Sequence, residues 1–202
     1  MHKNLSKVIF CDIGGVLLND GWGHVARQAA AKTFNLDYLS MDILHDFIFN
    51  TFEIGKISLD NYLNTVVFNE PRDFSKDDFK EFMFAQSTVL PNMLPWLIEW
   101  KRDNPKVRII ALSNEGKELN DYRIKKFNLH ECFDAFISSC KVGMRKPDPG
   151  IYKLALAIAH VEAEQCIYID DRPMLVKQAE NLGIKSHQHL TFADTKRIIE
   201  SF

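Results

Sequence analysis

The segment VIFCDIGGVLL, residues 8–18, joins a short apolar run to one carboxylate and two glycines. The apolar residues before Asp12 are largely β-branched or aromatic, which predicts a buried strand. A lone charge at the end of such a strand is either a helix N-cap or part of a site. The glycines that follow, Gly14 and Gly15, let the loop turn tightly beneath a ligand, so Gly15 is a candidate substrate-binding residue.

The same strand pattern recurs along the chain, and helix-like segments lie between the later strands. Near-continuous apolar runs indicate strands that are buried on both faces, as in a parallel sheet. The alternation therefore predicts an α/β fold with a doubly wound, mostly parallel, Rossmann-like sheet. The later predicted strands are 106–114, 135–139, 165–171 and, more weakly, 183–187, and the predicted helices are 92–103, 116–127, 148–160 and 173–182.

One interval is too long for a single crossover helix. Residues 19–91 contain several helix-like segments, with Ser58 and Ser75 at positions typical of N-caps. The sequence therefore predicts an α/β core formed by residues 1–18 and 92–202, with an α-helical cap inserted between its two parts.

Composition and charge exclude several classes of function. The chain has 202 residues, 46% of them hydrophobic, and a formal net charge of −2. This balance gives no electrostatic footprint for nucleic acid or an anionic membrane, and no apolar run is long enough to span a bilayer. The four cysteines show no CxxC spacing. We therefore expect reduced thiols in a cytoplasmic protein without a signal peptide.

Acidic side chains follow two of the predicted strands. Asp12 ends the first strand, and Asp170 and Asp171 end the fourth. Ligands of open α/β sheets bind beyond the carboxyl ends of the strands, where these carboxylates are expected to meet. Like charges held so close are unfavourable unless a cation lies between them, and carboxylate oxygens suit Mg²⁺. The sequence therefore predicts a magnesium site, and Asp12 can also act as a nucleophile.

Hydrogen-bond donors are predicted at the same edge of the sheet. Ser113 and Asn114 end the second strand, and Lys146 lies in the segment GMRKPDPGIY. Ser113, the Asn114 backbone N–H and Lys146 would hold the charge of a phosphoryl group. Any of these polar residues alone could be a cap, a turn residue or a surface charge, but their joint placement favours a site. In the predicted cap, Glu53 and Arg72 are candidates for substrate selection.

Together these segments resemble the four motifs of the haloacid dehalogenase-like hydrolases, in the subgroup with a helical cap after the first strand. The motifs are VIFCDIGGVLL, IIALSN, GMRKPDPGIY and CIYIDD with AENLG downstream, in order over residues 8–183. The resemblance implies a Mg²⁺-dependent phosphatase that acts on a small phosphorylated metabolite.

The resemblance also implies a role for each polar residue. Asp12 would be the nucleophile and form an aspartyl-phosphate. Ser113 and Lys146 would bind the phosphate. Asp171 would bind the metal directly, and Asp170 would bind it through water.

Gly14 departs from the family pattern. Phosphatases of the family usually carry a second aspartate here, whose side chain protonates the leaving group and then activates water. The Gly14 carbonyl can still reach the metal, but the proton carrier is missing. Asn19, Asp20 and Glu115 are possible replacements, among which the sequence does not decide.

Two alternatives stay open at this point. A metal-independent 2-haloacid dehalogenase also lacks the second aspartate, but it has no need of the acidic pair Asp170–Asp171. A binding or regulatory protein could keep the fold and the metal site without turnover.

Overall fold

The computed structural model describes residues 7–202 and confirms the predicted α/β fold. Residues 1–6 of the predicted core lie outside this range. The strands are β1 (Val8–Cys11), β2 (Arg108–Ser113), β3 (Ala135–Ser138), β4 (Cys166–Asp170) and β5 (Lys185–Gln188). They form one parallel sheet in the order β3-β2-β1-β4-β5.

Helices connect the strands and flank the sheet. The four helices predicted for the core are all present, and their ends differ from the predicted ends by no more than two residues. Within residues 7–202, no helix is long and apolar enough to cross a membrane. The α-helices of this range are α1 (His24–Thr33), α2 (Tyr38–Glu53), α3 (Leu59–Val66), α4 (Lys76–Ala85), α5 (Met93–Asp103), α6 (Lys117–Lys126), α7 (Ser139–Val142), α8 (Pro149–Ala159), α9 (Pro173–Glu180) and α10 (Phe192–Ser201).

The central strand β1 is buried on both faces. Successive side chains of a strand point to opposite faces of the sheet. Val8 and Phe10 accordingly pack into one hydrophobic cluster, and Ile9 and Cys11 pack into another. This burial explains why the strand reads as a continuous apolar run rather than an alternating one.

The strand order places a topological switch point beside β1. The chain runs from β1 outward to β2 and β3, then returns to the other side of β1 for β4 and β5. Such switch points open a crevice at the carboxyl ends of the strands. Cys11 of β1 pairs with Ile169 of β4, so Asp12 and Asp170 emerge side by side at this crevice.

Helices α1–α4 occupy the long interval after β1. They share a hydrophobic cluster of their own, which includes Tyr62, Phe79 and Met83 and is distinct from the two clusters on the sheet. Ser58 and Ser75 cap α3 and α4, as predicted, because each side chain accepts a backbone N–H from the first turn. The division into core and cap at residues 19 and 91 stays a prediction.

Candidate active site

A buried lysine holds two of the predicted carboxylates together. The Lys146 Nζ lies 2.9 Å from Asp12 Oδ2 and 2.7 Å from Asp170 Oδ2, and the lysine is 1% exposed. The Tyr168 hydroxyl also donates to Asp170 Oδ2, and the Arg172 backbone N–H donates to Asp170 Oδ1 at 2.8 Å. Both oxygens of Asp170 are therefore engaged by the protein. Asp12 is also held at both oxygens, by the Ile13 backbone N–H at 2.7 Å and by Lys146, but it lines the cavity at the crevice.

Asn114 fixes the backbone that carries the lysine. Its Nδ2 donates to the Lys146 carbonyl, and its Oδ1 accepts from the Lys146 backbone N–H, both at 2.8 Å. Both polar atoms of the Asn114 side chain are thus used to hold the Lys146 backbone. The predicted contact of the Asn114 backbone N–H with a phosphoryl group stays a prediction. Ser113, at the end of β2, is 3% exposed and lines the same cavity as Asp12.

The charges of this cluster shift one another's pKa values. Burial raises the pKa of Asp12 to about 7, against the opposing effect of Lys146. Burial alone would also raise the pKa of Asp170, but Lys146 and Tyr168 hold it below its usual value. Burial alone would lower the pKa of Lys146, and the two carboxylates instead raise it. The cluster is therefore short of positive charge.

Asp171 completes the acidic group. Carboxylate oxygens of Asp12, Asp170 and Asp171 all lie within 4.8 Å of one another. Burial and the charge of Asp170 raise the pKa of Asp171, whose Oδ1 is buried without a hydrogen-bond partner among the residues from 7 to 202. A buried, unpaired carboxylate oxygen in such a group fits an oxygen-ligated cation such as Mg²⁺.

A side chain at Gly15 would collide with Asp171, and the predicted contact of Gly15 with a ligand stays a prediction. Its backbone N–H donates to the Leu18 carbonyl at 2.8 Å, so this donor is already used within the loop. Its φ is +69°, and a Cβ built at this position would lie 2.3 Å from Asp171 Cγ. Gly15 therefore leaves room for the carboxylate and adopts a left-handed conformation that other residues resist.

A cavity of about 300 Å³ opens above this group. Asp12, Ser113 and Lys146 line it from the edge of the sheet, and residues from α1 and α2 line it from the opposite side. Among these, Glu53 is 7% exposed and accepts from Arg145 Nε at 2.8 Å. The cavity is therefore bounded by the charged residues at the sheet edge on one side and by the helices after β1 on the other.

The comparisons with known proteins agree with this geometry. The sequence model for haloacid dehalogenase-like hydrolases matches residues 6–183. The chain belongs to the haloacid dehalogenase-like hydrolase family. It is 25% identical to drimenol cyclase drtB of Aspergillus calidoustus over 184 residues, which cover 89% of this chain and 33% of that protein. It is 31% identical to flavin mononucleotide hydrolase 1 of Arabidopsis thaliana over 144 residues, which cover 71% of this chain and 57% of that protein. This hydrolase thus spans less than two thirds of either relative.

Solved structures show the same fold. The HAD family enzyme bt-2542 of Bacteroides thetaiotaomicron, in its magnesium complex, has a TM-score of 0.79 to this hydrolase at 20% identity, covering 96% of this chain and 98% of that chain. Its complex with magnesium and inorganic phosphate has a TM-score of 0.77 at 22% identity, covering 90% and 93%. At these identities the likeness establishes the fold.

Arg72 does not line the cavity of this hydrolase, and its predicted role in substrate selection stays a prediction. Its Nε donates to the Val67 carbonyl at 2.7 Å, and its Nη1 pairs with Glu70 at 2.6 Å. It lines a separate depression near the start of α2. The structure therefore brings Glu53 to the cavity of the hydrolase and leaves Arg72 outside it.

Two residues of the hydrolase site were missed from the sequence. Tyr168 precedes Asp170 by two positions on β4, and this spacing puts both side chains on one face of the strand. This two-residue spacing can be recognised in the sequence alone. Arg145 pairs with Glu53 across 92 positions of sequence, and no local pattern indicates such a contact.

Proposed function

We propose that this hydrolase is a Mg²⁺-dependent phosphatase of a small phosphorylated metabolite, with Asp12 as its nucleophile. The observation that carries the proposal is the Asp12 carboxylate, which lines the cavity, pairs with Lys146 and lies within 4.8 Å of the other two carboxylates. The cavity volume of about 300 Å³ suits a small molecule. A flavin mononucleotide hydrolase among the relatives supports the same chemistry.

The acidic group would hold the metal. Asp12, which lines the cavity, and Asp171, which has an unpartnered oxygen, would be direct ligands with the Gly14 carbonyl, and the fully buried Asp170 would act through water. When bound, Mg²⁺ would offset the repulsion between the Asp12 carboxylate and the phosphate.

The residues of the chain would prepare and complete the transfer. Lys146 and the Ile13 backbone N–H, at 2.9 and 2.7 Å, fix the two oxygens of Asp12 before substrate arrives. Asp12 then attacks phosphorus, the bond to the leaving oxygen breaks, and an aspartyl-phosphate forms. Ser113, the Asn114 backbone N–H and Lys146 hold the charge on the phosphoryl oxygens. Water then attacks phosphorus and releases phosphate.

Three carboxylates weigh against the competing dehalogenase. Displacement of a halide from carbon needs one carboxylate nucleophile and no metal, whereas this site gathers three carboxylates around one lysine. A bound cation would offset the repulsion among these three carboxylates. We also propose a cytoplasmic location, which the four free cysteines support.

A substrate panel tests the proposed function. Phosphate release from sugar phosphates, nucleotides that include flavin mononucleotide, and small phosphorylated acids is measured with Mg²⁺ and with EDTA, for wild type and Asp12→Asn. We expect release that needs both Mg²⁺ and Asp12. If wild-type protein hydrolyses none of them, the fold serves binding or regulation. Chloride release from 2-chloropropionate in EDTA would instead identify a dehalogenase.

A further inference from the structure

We infer that Asp20 is the proton carrier of this site, in place of the side chain that Gly14 lacks. The inference rests on the proposed phosphatase function. A Cβ built on Gly14 would lie 3.8 Å from Asp20 Oδ1, and both residues line the cavity with Asp12. The Asp20 carboxylate therefore lies within ordinary contact distance of a side chain at position 14.

The backbone beside Asp20 is firmly held. Asn19 donates its N–H to the Thr88 carbonyl at 3.0 Å and its Nδ2 to the Gln86 carbonyl at 2.8 Å. Its Oδ1 accepts the Thr88 N–H at 3.1 Å, and its carbonyl accepts from Arg123 at 2.5 Å. Asp20 thus projects from an anchored segment, as a group that transfers protons in a defined direction must.

The side chain of Asp20 is free to change partners. It is 51% exposed, and its ion pair with Arg172 is long, at 3.7 Å, with an arginine that is itself 54% exposed. Exposed pairs of this kind contribute little, so the carboxylate can turn to a substrate oxygen without a large loss. Arg172 provides a partner for the ionised form between the two proton transfers.

Three other titratable side chains that line the cavity already have a partner. Glu53 is paired with Arg145, and Glu115 is paired with Arg123 in a contact that is almost fully buried. His45 Nδ1 is bonded to the Tyr62 hydroxyl at 2.6 Å, and burial lowers the pKa of His45 to about 4. None of these three side chains lies within 4 Å of a Cβ built on Gly14, whereas Asp20 does.

Asp20 would act twice in one turnover. As Asp12 attacks phosphorus and the phosphorus–oxygen bond to the leaving group breaks, the Asp20 carboxyl gives its proton to the departing oxygen. As water attacks the aspartyl-phosphate, the Asp20 carboxylate takes a proton from that water and the bond to Asp12 breaks. The products are an alcohol and phosphate, and both aspartates return to their starting forms.

The test is the dependence of turnover on the leaving group. Asp20→Asn should lower kcat for alkyl phosphates by about 10²–10⁴-fold, the usual contribution of a general acid or base. With p-nitrophenyl phosphate the leaving group needs little protonation. The variant should then release a burst of nitrophenol at a rate near that of wild type, followed by slow turnover because the second step has lost its base.

Two further variants make the test specific. Asp20→Asn with Gly14→Asp restores a carboxylate to the same space, and it should recover at least about tenfold of the lost turnover on alkyl phosphates. Asp46→Asn changes another carboxylate that lines the cavity, and it should leave the dependence on the leaving group unchanged. Equal Mg²⁺ titrations of Asp20→Asn and wild type would exclude a metal-binding role for Asp20.

The outcomes separate this inference from the proposed function. Phosphate release by wild type that is lost in Asp12→Asn establishes the phosphatase, whatever Asp20→Asn does. The role of Asp20 is then overturned if Asp20→Asn keeps the leaving-group dependence of wild type, or if it loses Mg²⁺ binding. It is also overturned if Asp46→Asn produces the selective loss instead. If the wild-type protein has no phosphatase activity, both the proposed function and the role of Asp20 are wrong.

Discussion

Replacing Lys146 with methionine should strongly destabilise the metal-free protein. The change keeps an unbranched side chain that is one atom shorter, but removes the ammonium that contacts Asp12 and Asp170. These carboxylates are only 8% and 0% exposed, so water cannot replace the lost partner. Removing one member of a buried ion pair costs roughly 3–5 kcal/mol. Because Tyr168 still donates to Asp170, we expect about 3 kcal/mol, at the lower end of that range.

This loss is large compared with the stability of a domain. Native domains are stable by roughly 5–15 kcal/mol, so the variant would lose a fifth or more of the total. For a chain of this size, the melting temperature should fall by about 6–12 °C. Bound Mg²⁺ would partly replace the missing charge, and the measurement therefore belongs in EDTA.

The loss of stability in Lys146→Met should depend on pH. Without the lysine, burial would raise the pKa of both carboxylates, so the folded variant would bind protons that the unfolded chain has released. Its stability should then fall as the pH rises above about 4, and its deficit relative to wild type should be larger at about pH 8 than at about pH 5.

Urea unfolding in EDTA measures both effects. Lys177→Met is the matched control, because the Lys177 side chain is 70% exposed and, among residues 7–202, pairs only with Glu180 on the same helix. We expect the control to stay within about 0.5 kcal/mol of wild type. A Lys146→Met protein that is equally stable at about pH 8, or whose deficit grows as the pH falls, would refute the electrostatic reasoning.

Three further changes probe the same group. Mg²⁺ at 100 times its Kd should stabilise wild type by about 2.7 kcal/mol in thermal melts, and Asp171→Asn should abolish this gain. Equal Mg²⁺-induced shifts in melting temperature for the two proteins would contradict the metal site. In urea titrations, Gly15→Ala should cost about 1–3 kcal/mol because φ is +69° and its Cβ would meet Asp171, whereas Gly14→Ala, with no contact under 3.8 Å, should be nearly neutral. Asp12→Asn should abolish turnover, yet in EDTA at about pH 8 it should be as stable as wild type or more so, because burial has raised the pKa of Asp12 to about 7 and its charge is costly above that pH. Unfolding at a lower urea concentration than wild type would contradict this sign.

The sheet and the charged floor of the site followed from local sequence. Buried strands read as apolar runs, and the carboxyl ends of parallel strands meet at one edge, so Asp12 and Asp170 could be placed together without a structure. The register between β1 and β4 confirms that placement.

The wall of the cavity could not be predicted in the same way. Glu53 and Arg72 both belong to the interval between β1 and α5, and no spacing distinguishes them. Glu53 ends α2 where its carbonyl accepts from Ser139 and its carboxylate from Arg145, whereas Arg72 pairs with its neighbours in sequence. The difference arises from contacts between residues more than 80 positions apart, which a local pattern does not encode.

The two adjacent glycines are constrained in different ways, and the difference bears on the proton carrier. Gly15 cannot carry a side chain because Asp171 fills the space, whereas Gly14 has ordinary backbone angles and open space as far as Asp20. The absence of a side chain at Gly14 is therefore not imposed by the loop. A carboxylate at position 14 would instead lie beside that of Asp20, and two such charges next to Asp12 repel one another. The site thus has room for one proton-carrying carboxylate, from either position. On this reasoning Gly14→Asp should help turnover when Asp20 is asparagine and help less, or harm it, when Asp20 is present.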